Sequence, residues 1–462
     1  MSQIGLIPHA GEDYAGHVRK QVFQKMLRKP TQIIYIANDH HSQATEVMYS
    51  INETLTVPWM NTIDVKNDKN EHSYIWVIPE IEAYFKLDGS QVKSFLIGKK
   101  WLSRKNEIIK YFQGIIREGG IILFTADLTH FGDSYDFKGF QEPIMYNKYQ
   151  KEETLILALI ESNFHTVKQE LSRFPELSFS KTNLKVLVSL THYLKLKGRV
   201  VEYYDSSAKD KKGYRRYLIP LDKINTLVSY PGIIFLPKIK YQKVNRFDKD
   251  LALAFLRSSL EHNVSFMLPK WCIWYHKKNG IFVQTELSSN HQKTCCYGEY
   301  EKDGHTTADF LNSLSLRCRQ DARKRWSFEM EGIDFDTMNY EIEVLQSEKN
   351  WKEYLASQVK LDKNSPYGVY LTFNRGSATY LPKVWEELIP EAETISDLLD
   401  SLAGKATGTG GNNKSWKNDK QAIVRLYTSK KYSSDSKMSS KSKKTKKKKK
   451  KKNKKKSKKE KK

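Results

Sequence analysis

A chain of 462 residues exceeds one ordinary core of ~100–200 residues, so two or three domains are expected. The formal net charge is +25, but residues 433–462 hold 18 lysines against Asp435 and Glu460, which puts +16 there and leaves +9 for the rest. Charge therefore does not mark the body as a nucleic-acid binder, and no apolar run approaches the ~20 residues that span a bilayer. In chain order, strands are predicted at Ile4–Ile7, Ile33–Ile36, Ser94–Ile97, Gly120–Phe124, Val200–Tyr204 and Thr226–Phe235. Between them, helical spacing of apolar residues predicts helices at Gly16–Leu27, Arg104–Arg117, Glu152–Glu161 and Leu184–Leu196. Alternating strands and helices with short connections predict an α/β layered domain with a mainly parallel sheet over residues 1–237.

A polar, basic stretch near Pro237–Phe247 precedes a different order. An amphipathic helix is expected at Asp248–Glu261, then strands at Ile281–Glu286, Tyr340–Leu345 and Tyr367–Phe373 with helices between them. That order predicts an α+β domain over residues 245–432. A Gly/Asn-rich loop is expected at Gly404–Asn413, before a last strand near Ile423–Tyr427. From Ser433 the composition is Ser and Lys without aromatics, which cannot bury enough surface to fold, so 433–462 is expected to be a disordered tail. No repeat of fixed period is present. Cys272, Cys295, Cys296 and Cys318 lack zinc-site spacing and do not suggest a disulfide framework, which fits a reducing interior. Met1–Lys20 is interrupted by Pro8, His9, Glu12 and Asp13 and does not read as a signal peptide. An intracellular, cytoplasmic protein is expected, with the lysine cluster readable as a nuclear-import signal.

Three of the predicted strands end in histidine. Ile33–Ile36 runs into Asn38-Asp39-His40-His41, Ile4–Ile7 into Pro8-His9, and Ile121–Phe124 into Ala126-Asp127-Leu128-Thr129-His130. The carboxyl edge of an open α/β sheet is where ligands bind, so these strands would deliver imidazoles to one rim. Converging neutral imidazoles suit a transition metal, and Asp127 could orient one by accepting its second N–H. Each histidine taken singly is more readily a hydrogen-bonded loop residue than a ligand, and Asp127 is equally readable as a cap. Glu71-His72-Ser73 precedes an apolar run and says little alone.

These stretches resemble the Memo family, whose fold is similar to the LigB-type class III extradiol dioxygenases. The matching pieces are Pro8-His9-Ala10-Gly11, Tyr14-Ala15-Gly16, Asn38-Asp39-His40-His41, Glu71-His72-Ser73, Phe95-Leu96-Ile97-Gly98, Ala126–Gly132, Glu202–Ser207 and Val228-Ser229-Tyr230, in order over residues 1–236. The resemblance implies metal ligands at His9 and His40, with Asp127, His130, Glu71 and His72 as the catalytic set. It implies iron or copper as the metal and redox or dioxygenase-like chemistry on a small molecule. It also departs from the family: Phe179 stands where the third ligand, a cysteine, is expected, and Ile75 and Val77 replace a Glu and a His. The leader segment that usually precedes the first strand is not in this sequence. Glu176, three residues from Phe179, is the carboxylate that a small slip would bring in.

Residues 245–432 resemble the AMMECR domain family through Trp274–Glu286, Cys296-Tyr297-Gly298, Tyr340–Leu345, Tyr367-Gly368-Val369, Leu381-Pro382-Lys383-Val384 and Trp416-Lys417. The family's Arg-Gly-Cys-Ile-Gly becomes Thr294-Cys295-Cys296-Tyr297-Gly298, and of its Asp-x-Arg-Phe only Phe328 remains. A thiolate nucleophile at Cys296 would need a base or cation nearby, and His291, Lys293 and His305 are close in sequence. A half-buried structural cysteine is the plainer reading. The lysine tail, without aromatics for bases to stack on, would contact nucleic acid only electrostatically. The expectation is thus a two-domain fusion with metal-dependent chemistry on a small molecule. The alternative is a catalytically degraded scaffold that binds protein, with nonspecific nucleic-acid contact through the tail.

Overall fold

Strands buried on both faces read as near-continuous apolar runs. Ile4–Ile7, Ile33–Ile36 and Ile121–Thr125 are such runs, buried at every position. The computed structural model describes residues 1–434 apart from 41–44, 52–59, 64–71, 88, 133–134, 136–143, 207–225, 238–245, 263–264, 266, 288–292, 320–334 and 383. The chain divides into two units, Met1–Ala254 with Pro269–Ile273, and Phe255–Leu268 with the chain from Trp274.

The first unit holds β1 (Ile4–Ile7), β2 (Ile33–Ile36), β3 (Met48–Ile51), β4 (Asn61–Ile63), β5 (Val92–Ile97), β6 (Ile121–Thr125), β7 (His130–Gly132), β8 (Lys197–Asp205) and β9 (Thr226–Leu236). They form one sheet in the order β4-β3-β5-β2-β6-β1-β9-β7, with β8 also on β9. The centre, β5-β2-β6-β1, is parallel, with Ile33 opposite Ile121 and Ile4 opposite Ile122. β9 runs antiparallel to β1, β7 and β8, and β3 antiparallel to β5. The expected mainly parallel sheet is therefore corrected to a mixed one. Alternation of helix and strand specifies crossovers only in the middle, whereas antiparallel neighbours need none.

The helices of this unit are α1 (His17–Phe23), α2 (His72–Ile75), α3 (Ile78–Phe85), α4 (Lys105–Arg117), α5 (Ile144–Ile160), α6 (Phe164–Arg173) and α7 (Lys181–Tyr193). α4 forms because Ile108, Ile109, Phe112 and Ile115 recur on one face and are buried there. α1 packs Val22 and Phe23 into the cluster that contains Tyr35 and Leu123 of the sheet. It ends at Phe23 rather than Leu27, because Lys25–Leu27 leave the helix to pair with Ser2, and Glu12–Gly16 forms a wider π-helical turn ahead of it.

Helix α8 (Arg246–His262) contains the point at which the chain passes from one unit to the other. The second unit holds α9 (Thr307–Arg319), α10 (Val384–Leu388) and α11 (Ile395–Thr407). Its strands are β10 (Ile281–Leu287), β11 (Lys293–Glu299), β12 (Met338–Leu345), β13 (Lys352–Leu355), β14 (Gly368–Phe373), β15 (Gly376–Tyr380), β16 (Ile423–Tyr427) and β17 (Ser429–Ser433). Two four-stranded sheets result, β11-β10-β12-β17 and β13-β16-β14-β15, antiparallel throughout. α11 starts at a capping box of Thr394 and Asp397 and ends at Gly408, whose φ of 69° suits glycine. The loop expected at Gly404–Asn413 is thus helical as far as Thr407. Gly404 belongs to the helix because a side chain there would collide with the carbonyl of Gly411.

Cys295 of β11 and Cys318 of α9 form a disulfide, with Cα atoms 5.5 Å apart, and Cys272 and Cys296 take no part in it. The cysteine pattern did not suggest a disulfide framework, and this one bridge departs from that expectation. A separation of 23 residues carries no pairing signal until α9 lies across β11. Ser433 closes β17 rather than opening a tail, and residues 435–462, with the lysine run, lie outside the described residues. Among the described residues no helix is long and apolar enough to cross a membrane.

Candidate functional site

Strands β2, β6 and β1 are neighbours in the sheet and parallel, so their carboxyl ends share one edge. This brings together the three histidines the sequence placed at strand ends. His9 Nε2 and His40 Nε2 lie 3.1 Å apart, with ring centroids at 4.9 Å and planes at 72°. Asp127 joins them: its Oδ1 accepts the backbone N–H of His9 at 3.0 Å, and its Oδ2 lies 3.5 Å from His9 Nε2. His9 and Asp127 are buried, whereas His40 is exposed, so the arrangement runs from the interior to solvent. His130 donates from Nδ1 to the Leu128 carbonyl at 2.8 Å, which fixes its tautomer. Its ring meets Phe179 and Tyr135 edge-on, at centroid distances of 4.6 and 4.9 Å.

Burial dominates the electrostatics here. It pushes the Asp127 carboxyl up to about 6, against the opposing pull of His130, the His9 N–H, His40 and Arg19. Burial pushes His130 down, and Asp127 acts in the opposite direction. Burial also raises the hydroxyls of Tyr230 and Tyr135, and the Asp127 charge adds to both.

Several side chains that hold this rim were not among the predicted site residues. Ser73 Oγ accepts from Asn38 N and donates to Asn38 O, both at 3.1 Å, which latches the loop carrying His40. Asn183 of α7 donates to the carbonyls of Ala37 and Thr125, both at 3.0 Å, and ties the ends of β2 and β6 together. Ser178 Oγ donates to the Asp127 carbonyl at 2.8 Å. Behind them sits a buried ionic network on α5, β8 and β9. Lys148 Nζ donates to Asp205, to Tyr203 Oη at 2.8 Å and to Ser229 Oγ at 3.1 Å. Tyr203 donates to Glu152, whose other oxygen accepts the Thr129 N–H at 3.2 Å. A polar residue buried on an apolar helical face, as Asn183 is beside Leu184 and Leu187, is the feature of α7 that could have pointed to this layer.

The other site residues separate differently. Glu71 lies outside the described residues, and His72 opens α2. Phe179 does not fill the space beside His9 and His40; it is 59% exposed and lies against His130. The carboxylate that reaches His9 is Asp127, not Glu176. As a metal centre the residues fit in two positions: nitrogens on one tetrahedral ion with bonds of 2.0–2.1 Å stand about 3.3 Å apart, close to the 3.1 Å found. A third position is not provided, since among the described residues no group of three or more His, Cys, Asp or Glu is disposed to hold a metal ion.

In the second unit Cys296 faces Gln284 across β10 and β11. His305 is exposed, stacks on Phe310 and donates to the Asp303 carbonyl at 3.2 Å. His291 lies outside the described residues. Where the two sheets meet, Thr379 Oγ1 and Tyr427 Oη are 2.7 Å apart, and the ring of Trp351 stacks on Tyr427 at 4.9 Å. Tyr370 and Tyr300 pack edge-on at 4.9 Å.

Residues 250–432 match the family model described as AMMECR1. This part of the chain is an AMMECR1 domain. In the AMMECR1 domain the altered signature has a structural reading: Thr294 forms a buried hydroxyl pair with Thr285 at 2.7 Å, and Cys295 is in the disulfide. No curated protein matches the chain. Among solved structures, it is similar to "Uncharacterized Protein PH0010 From Pyrococcus horikoshii", at 14% identity over 41% of this chain and 90% of that one, with a TM-score of 0.31. A TM-score that low identifies neither a fold nor a function.

Proposed function

We propose that the first unit carries a proton-transfer site for a small polar molecule, built from His9, His40, Asp127 and His130, in a chain whose second part is the AMMECR1 domain. The observation that carries this reading is that one atom, His9 Nε2, lies 3.5 Å from Oδ2 of buried Asp127 and 3.1 Å from Nε2 of exposed His40. His9 relays a proton between carboxylate and imidazole, and His40 presents it to the bound molecule. Asp127, raised to about 6, changes charge where such a relay works. The resemblance of residues 1–236 to the Memo family supports the same location. The test is an NMR titration of histidine side chains in the full chain, with His9→Gln and His40→Gln. A relay makes each replacement move the other imidazole's midpoint, whereas independent midpoints overturn it.

A second reading is favoured by the 3.1 Å separation of the two Nε2 atoms, which suits two ligands of one ion. Iron or copper would be held by His9 and His40 alone and would supply Lewis-acid or oxygen-binding chemistry. Two imidazoles hold a divalent ion weakly. Chelator-treated chain titrated with ferrous or cupric ion should then bind one equivalent, and the His9→Ala/His40→Ala variant none. Equal binding by both sinks this reading.

A further inference from the structure

We propose that Arg19, anchored by Glu80, is the positioning residue of the histidine site: its guanidinium fixes the backbone on both sides of His9 and so holds the imidazole against His40. Arg19 lies on α1 and is fully buried. Its Nη1 donates to the Pro8 carbonyl at 3.2 Å and to the Ala10 carbonyl at 2.6 Å, the residues immediately before and after His9. The rest of the fork is taken by Glu80 of α3: Nε donates to Oε2 at 2.8 Å, and Nη2 donates to Oε1. One planar cation thus serves four acceptors on two elements, which a lysine ammonium, a compact point charge, cannot do.

The consequence lies at His9. Arg19 sets the Pro8 carbonyl and Asp127 the His9 N–H, so the peptide before His9 is held on both edges, and the bond to the Ala10 carbonyl holds the chain one residue after it. The same guanidinium favours the charged form of Asp127, opposite to the effect of burial. A buried guanidinium is expensive to desolvate and stays only with complete pairing. Here that pairing is spent on the turn that presents the imidazole. The clamp also links His9 to α3, where Glu80 is 17% exposed in its side chain.

This inference rests on the reading of His9 and His40 as a working pair, and its test separates the two. The full chain, labelled at histidine Cε1, is measured for the ring-to-ring Overhauser contact between His9 and His40, beside a thermal melt. Wild type shows the contact. Arg19→Lys, which keeps the charge and loses the fork, loses it while circular dichroism stays unchanged. A merely structural role lowers the melting temperature and leaves the contact intact, which overturns the clamp alone. Absence of the contact in wild type overturns both the pair and the clamp. Should Arg19→Lys fail to fold, Glu80→Gln loosens the fork from its more exposed end. A weakened contact there supports the clamp, and an undiminished one overturns it.

Discussion

The two units treat buried polarity in opposite ways. In the first, charged side chains are drawn inside: Arg19, Asp127, Lys148, Glu152 and Asp205 are all buried, and each is tied to the strand ends that carry the histidines or to the segment behind them. In the second, among the described residues, Glu343 and Asp400 are the buried charged side chains, and the junction of its sheets is filled by aromatic rings and hydroxyls. Its ion pairs Arg425–Glu353 and Arg317–Glu299 lie at the surface, where such pairs contribute little. A buried charge costs stability unless fully paired, so their concentration beside the converging imidazoles is what the proposed proton-transfer site requires.

The contrast can be broken most directly at Lys148. Lys148→Met leaves Asp205 without its cation in a fully buried place, and a loss of about 3–5 kcal/mol is expected in chemical unfolding followed by hydrogen exchange of β8 and β9. A loss under ~1 kcal/mol, the size of a surface pair, would mean that the network does not support the first unit. In the second unit the corresponding tie is covalent. Cys318→Ser opens a loop of 23 residues, and a loss of about 3 kcal/mol is expected for a loop of that size, confined to the AMMECR1 domain. Finding four alkylatable cysteines in unreduced protein would contradict the pairing.

The smallest expected effect is the most specific to the site. Asp127 is raised from 3.8 to about 6 in the folded chain, so its contribution is most favourable below 3.8 and is lost as pH rises through about 6. His130 is lowered, so its contribution is complete above 6.5 and is lost as pH falls below that. The two oppose each other between those limits. Asp127→Asn removes the first and leaves the second, which is common to both proteins and cancels between them, so at ~1.4 kcal/mol per pH unit a relative gain of ~2 kcal/mol is expected from pH 4 to 6.5. Parallel stability profiles for variant and wild type would show that Asp127 is not held as described.

Much of the first unit was legible because buried strands announce themselves: Ile4–Ile7, Ile33–Ile36 and Ile121–Thr125 have no other reasonable place than a sheet centre. The antiparallel placing of β9 was not, since an apolar strand reads the same in either direction. His9, His40, Asp127 and His130 were visible as residues at strand ends, and Phe179 as a departure from the resembling family. That Phe179 turns outward against His130 instead of filling the third corner depends on how the turn after α6 approaches the rim.

The sequence by itself determined the central strands, the histidines at their ends and the AMMECR1 match, because periodicity and short motifs are local properties of the chain. Only the tertiary structure decided which carboxylate meets His9, that Cys295 pairs with Cys318, and that Arg19, Glu80, Ser73, Asn183 and Lys148 support the site. Those pairings join residues separated in the chain through a disulfide, a few hydrogen bonds or an ion pair. No one-dimensional pattern records such contacts, since they exist only once the sheet has brought the strand ends together.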